Sequence, residues 1–84
     1  KGTSMQEDGI LPDDIVVVHK QETARNGQTV IALVNGEATI KRYYRKADHI
    51  ELHPANEERR PIIVRPNDEF RIEGLVVGLI RHCH

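Results

Sequence analysis

Two residues far apart in the chain could form a nucleophilic pair. They are Ser4, within Gly2-Thr3-Ser4-Met5, and Lys41, within Ala38-Thr39-Ile40-Lys41-Arg42. A serine hydroxyl attacks well only when a positioned base takes its proton, and a lysine amine can be that base only while neutral. Each residue also has a purely structural reading. Ser4 and Glu7 match a capping box, so Ser4 can simply close a helical turn over Ser4 to Asp8. Both readings share a geometry, because the first N–H groups of a helix are unpaired and can face a developing oxyanion. Lys41 sits in a β-like stretch. Alternation there places Thr39, Lys41 and Tyr43 on one face and Ala38, Ile40, Arg42 and Tyr44 on the other. Most strand lysines are solvated, whereas a lysine base needs partial burial, which penalises its charged form.

The remaining chemistry-bearing residues read as structural. His82 and His84 flank Cys83, and alternation would oppose the thiol to both rings, which suits a metal poorly. His49 and His53 lie four apart on a strand, too far to share one ion, and together with His19 they read as solvated surface histidines. No metal and no cofactor are expected. Glu7, Asp8, Asp13, Asp14, Glu57, Glu58, Asp68 and Glu69 fall in predicted loops beside Pro or Gly and read as turn and cap residues. A Ser-His-Asp triad through His19 has no spacing to support it.

The elements that must position this chemistry are strands. Ile15-Val16-Val17-Val18 is a β-branched run that reads as a buried strand. Gln28 to Val34 and Glu37 to Tyr44 are joined by Asn35-Gly36, a tight-turn dipeptide, and should pair as a hairpin. His49 to His53 alternates Ile50 and Leu52 against polar neighbours and stops at Pro54. Pro61 to Val64 is another short apolar run. Phe70 to Arg81 is the longest β signal, with Gly74 and Gly78 marking bulges or points of close backbone approach. No ten-residue segment shows helical apolar spacing. The expected fold is mostly β, a compact antiparallel domain.

Composition narrows the function. Eighty-four residues allow one domain, spanning 1–84, with a thin core. Twelve Lys plus Arg against thirteen Asp plus Glu leave a charge of −1, without the basic excess of a nucleic-acid-binding module. One Phe, two Tyr and no Trp offer no stacking platform for single-stranded nucleic acid. No apolar run approaches the about 20 residues of a membrane span, and the polar start does not read as a signal peptide. A single cysteine favours a reducing cytoplasm. The absence of an initiator Met reads as a fragment or a processed piece.

Gly2-Thr3-Ser4-Met5 and Ala38-Thr39-Ile40-Lys41-Arg42, with 37 positions from Ser4 to Lys41, together resemble the LexA-type (S24) family of self-cleaving Ser-Lys peptidases. That family includes phage repressors and UmuD-type proteins and shares its fold and dyad with signal peptidases. Further matches are Asp14-Ile15-Val16-Val17-Val18, Arg25-Asn26-Gly27-Gln28, Glu51-Leu52-His53-Pro54-Ala55-Asn56 and the run from Ile72 to Arg81. The likeness covers nearly the whole chain. One departure is Pro12-Asp13-Asp14, where the family usually has Asp-Gly-Asp, a change of turn geometry more than of chemistry.

The resemblance implies a catalytic core of the LexA and signal-peptidase type. In it Ser4 is the nucleophile, Lys41 the general base and Met5 a backbone oxyanion donor. It implies cleavage of an Ala-Gly bond, stimulated by a RecA–single-stranded-DNA filament in the bacterial SOS response. Operator DNA would be bound only through an N-terminal winged helix-turn-helix that, with the cleavage segment, is expected to be missing here. A homodimer is expected through the last strand. Leu75, Val76, Val77, Leu79 and Ile80 make it apolar on both faces, as in an exposed edge strand that needs a partner. The alternatives are a domain that dimerises without catalysis and a UmuD-like or phage-repressor relative.

Overall fold

The computed structural model describes residues 11, 13–55 and 58–81. Six strands form one antiparallel sheet: β1 (Ile15–Lys20), β2 (Thr29–Val34), β3 (Glu37–Arg45), β4 (Ile50–His53), β5 (Ile62–Val64) and β6 (Phe70–Ile80). Their spatial order is β1-β6-β2-β3-β4-β5. Among the described residues there is no helix, and so none long and apolar enough to cross a membrane. The expected turn at Ser4 to Asp8 lies outside the described residues.

The β2–β3 hairpin forms in the expected register, with Val34 opposite Glu37 and Val30 opposite Lys41. Asn35 and Gly36 take φ values of 50° and 84°, the paired left-handed conformation of a type I′ turn. Asn35 also ties the hairpin tip to the start of β6. Its backbone N–H donates to the Glu69 carbonyl at 2.8 Å, and its Oδ1 accepts from the Glu69 N–H at 3.0 Å.

The core lies on one face of the sheet: Val30 and Ala32 from β2, Tyr43 from β3, Leu52 from β4, Val64 from β5, and Ile72 and Leu75 from β6. Ile72 and Leu75 are three apart, a spacing that a regular strand would split between two faces. A bulge reconciles them. β2 pairs Ala32 with Ile72 and then Ile31 with Gly74, so Glu73 is the extra residue. A second bulge leaves Val77 between the pairs Val18–Val76 and Val17–Gly78. Each bulge adjoins one of the two glycines. Gly74 is also a close approach: a Cβ there would stand 2.5 Å from Val18 Cγ1 and 2.9 Å from the His19 carbonyl oxygen.

Two expectations need correction. The Ile15–Val18 run is a strand but not a buried one, since Ile15 is 60% exposed and Val17 42%. β1 is an edge strand paired only with β6. A β-branched run suits a pleated backbone whether or not anything covers it. Likewise, β6 is not an edge along its whole length. It lies between β1 and β2, but β2 pairs with residues 70–75 and β1 with residues 74–80, so among the described residues 76–80 have a strand on one side only.

Candidate active site

β3 positions Lys41. The hairpin fixes its register opposite Val30, and alternation turns it to the core face between Thr39 and Tyr43. β4 pairs with β3 only from Arg42 onward, where Arg42 faces His53. Lys41 therefore lies just past the end of the β4 pairing, on an inner strand flanked by β2. It is only 8% exposed, on a strand inside the sheet. The solvated-lysine reading is overturned. Its cause is the neighbouring strands, since the lysine shares its face with the fully buried Val30. Restricted access to water on an inner strand is one condition that a lysine base needs. Ser4 and Met5, the expected nucleophile and oxyanion donor, lie outside the described residues.

His19 does not have the surroundings of a triad base. It is exposed on β1, and its Nδ1 lies 2.8 Å from Gln21 Oε1, with no carboxylate among the described residues holding the ring.

The carboxylates expected at turns behave as such. Asp68 Oδ2 accepts the Arg65 N–H at 2.9 Å. That bond, then one from Asn35, holds its carboxyl below the usual range. Asp14 does more than cap. Its Oδ2 accepts the Leu11 N–H at 2.8 Å and Arg81 Nη2 at 2.7 Å, while Oδ1 accepts Arg81 Nε at 3.0 Å. This bidentate pair joins the start of β1 to the end of β6 and, chiefly through Arg81, holds the Asp14 carboxyl low.

His49 and His53 depart from expectation. Glu51 stands between them, bonded through Oε2 to His49 Nε2 at 2.9 Å and through Oε1 to His53 Nε2 at 2.8 Å. Asp48 Oδ1 takes the other nitrogen of His49 at 2.7 Å. The readable signal was His49-x-Glu51-x-His53, three polar residues at the strand period. No group of three or more His, Cys, Asp or Glu among the described residues could hold a metal ion. His82, Cys83 and His84 lie outside them.

The sequence pattern of the Peptidase S24-like family matches residues 1–77 of the chain. The chain belongs to this family. As a Peptidase S24-like chain it also resembles proteins called LexA repressor. That of Syntrophotalea carbinolica is 60% identical over 81 residues, 96% of this chain and 40% of its own length. That of Syntrophobacter fumaroxidans is 51% identical over 82 residues, 98% of this chain and 39% of its own length. That of Finegoldia magna is 52% identical over 81 residues. The chain thus spans about two-fifths of the relatives it matches. Its antiparallel sheet agrees with the fold expected of a Peptidase S24-like core.

Proposed function

We propose that this chain is the self-cleaving serine peptidase and dimerisation domain of a LexA-like repressor of the bacterial SOS response. The observation that carries the reading is the burial of Lys41, at 8% exposure, on the core face of β3. A domain that only dimerised would have no use for a buried lysine. In the proposed reaction Ser4 Oγ attacks the carbonyl carbon of an Ala-Gly bond while the neutral Lys41 amine takes its proton. The Ser4 and Met5 backbone N–H groups stabilise the oxyanion. Collapse breaks the C–N bond, and the Lys41 ammonium returns the proton to the departing amine. Water then hydrolyses the Ser4 ester. A RecA–single-stranded-DNA filament would stimulate cleavage by binding the cleavage-ready conformation better than the resting one. Operator DNA is assigned to the rest of the repressor, and the reading carries a cytoplasmic location.

The test is covalent. A phosphonofluoridate should modify Ser4, located by peptide mass spectrometry, and Lys41→Ala should slow labelling about 10²-fold or more. Labelling elsewhere, or at an undiminished rate in Lys41→Ala, rejects the dyad.

For the dimer, the proposal rests on the second half of β6, where residues 76–80 pair with β1 alone, and on the side chains exposed there. Leu75 belongs to the core and Val76 is half-buried, which leaves Val77, Leu79 and Ile80 at 61%, 42% and 55% exposure. Register sets Ile80 opposite Ile15 of β1, and paired residues share a face, so β1 extends the apolar surface. Sedimentation at micromolar concentration should give a dimer, and Val77→Asp with Ile80→Asp a folded monomer. A strictly monomeric wild-type protein overturns the interface.

A further inference from the structure

His49, Glu51 and His53 occupy alternate positions on and just before β4, so they share the sheet face opposite the Leu52 core side. Glu51 joins both rings, one oxygen to each, and Asp48 adds a third link. The arrangement at His49 is the informative one. Both of its ring nitrogens face carboxylate oxygens, Nδ1 at 2.7 Å from Asp48 and Nε2 at 2.9 Å from Glu51. A neutral imidazole has one N–H and one lone pair, so it can donate to only one of these carboxylates; the imidazolium donates to both. The His49 and Glu51 side chains are each about four-fifths buried, which limits the water that could replace a lost link.

We propose that Asp48, His49, Glu51 and His53 form a proton-dependent clasp on β4, closed while His49 is an imidazolium and opened by loss of its proton. On deprotonation one carboxylate is left facing the imidazole lone pair, and one link breaks. The clasp matters because β4 has four residues and its outer neighbour β5 only three, so few ladder bonds add to the packing of Leu52 and Val64 at this end of the sheet. The β3–β4 pairing begins at Arg42–His53, one residue from Lys41. Loosening would therefore reach the strand that carries the buried lysine. The clasp stands independently of the peptidase reading.

The charges around it are mixed. Register sets Arg42 opposite His53 on β3, and Glu51 opposite both Tyr44 of β3 and Ile63 of β5. The Tyr44 ring meets His53 edge-on at 4.6 Å, and the Lys46 ammonium stands 5.8 Å from the Tyr44 centroid. The Lys46 charge favours the Glu51 carboxylate, and that of Arg65 favours Asp48. Against these cations, the bonds from Glu51 first and Asp48 second raise His49 above 6.5. Bonds from His49 and then His53 lower Glu51 below 4.5, and the bond from His49 lowers Asp48 below 3.8. The signs define a window. The His49 contribution is fully present below about 6.5 and is lost as pH rises through its raised folded value. The carboxylate contributions are present above about 4.5 and are lost as pH falls through their lowered values.

Histidine NMR titration and amide hydrogen exchange on the full chain test this. His49 should titrate above its ordinary value, and Glu51→Gln and Asp48→Asn should each lower that midpoint. Protection of the β4 amides, corrected for intrinsic exchange, should fall several-fold between about pH 5.5 and about pH 8 in the wild type. The fall should shrink in Glu51→Gln. A His49 midpoint at or below the ordinary value overturns the clasp, as does an unchanged pH course of β4 protection in Glu51→Gln. If Glu51→Gln does not fold, the midpoint in Asp48→Asn decides.

Discussion

Ser4→Ala and Lys41→Ala will each abolish cleavage of the full-length repressor or of an Ala-Gly peptide supplied in trans, and the double variant will lose little more. The serine hydroxyl is the only group in the proposed reaction that forms a bond to the scissile carbonyl, so its removal leaves no acyl-enzyme route. Lys41→Ala removes the proton acceptor, worth about 10²–10⁴-fold in rate. Because attack and proton transfer belong to one step, the second loss has almost nothing left to remove. Losses that multiplied would mean that the two residues act separately. Undiminished cleavage by either single variant overturns the dyad. Gel-based cleavage assays with and without the RecA filament distinguish a chemical defect from a stimulation defect. A dyad variant stays inactive under both conditions, whereas a variant impaired only in filament binding keeps its basal rate.

The sheet was legible in the sequence wherever a local pattern dictates a local conformation. Asn35-Gly36 announced the hairpin because few dipeptides accept two successive left-handed residues, and both are left-handed here. Alternation along β3 gave the face of Lys41 correctly. What alternation could not give was burial, which depends on the strands that come to lie beside a residue. That limit explains three departures. Lys41 is buried because β3 is an inner strand next to Val30. Ile15 and Val17 are exposed because β1 ends the sheet. β6 resembled an edge along its length, yet β2 covers residues 70–75 and only residues 76–80 are left with a single neighbour, β1. The histidine–carboxylate clasp was missed for a different reason. His49 and His53 were weighed as ligands of a shared ion, and the carboxylate between them was left out. The Ser4 half of the proposed site rests on the sequence and the family, and the Lys41 half on the fold as well.

Whether Lys41 costs the fold stability separates a catalytic amine from an incidental one, since it lies at 8% exposure on an inner strand. Burying a charged group costs free energy unless it is paired and hydrogen-bonded, and an apolar side chain of similar bulk carries no such cost. Lys41→Met keeps the aliphatic stem against Val30 and removes the charge. It should raise the unfolding free energy by about 1 kcal/mol or more in denaturant titrations, while eliminating cleavage as completely as Lys41→Ala. The control is Lys20→Met, on the exposed end of β1. There solvent already carries the charge, and the change should stay within about 0.5 kcal/mol. If Lys41 were merely tolerated in the core, methionine would stabilise the domain and leave cleavage intact. If its ammonium were well compensated, methionine would give no gain over the Lys20 control. Only a costly lysine retained for chemistry predicts gain of stability and loss of cleavage together.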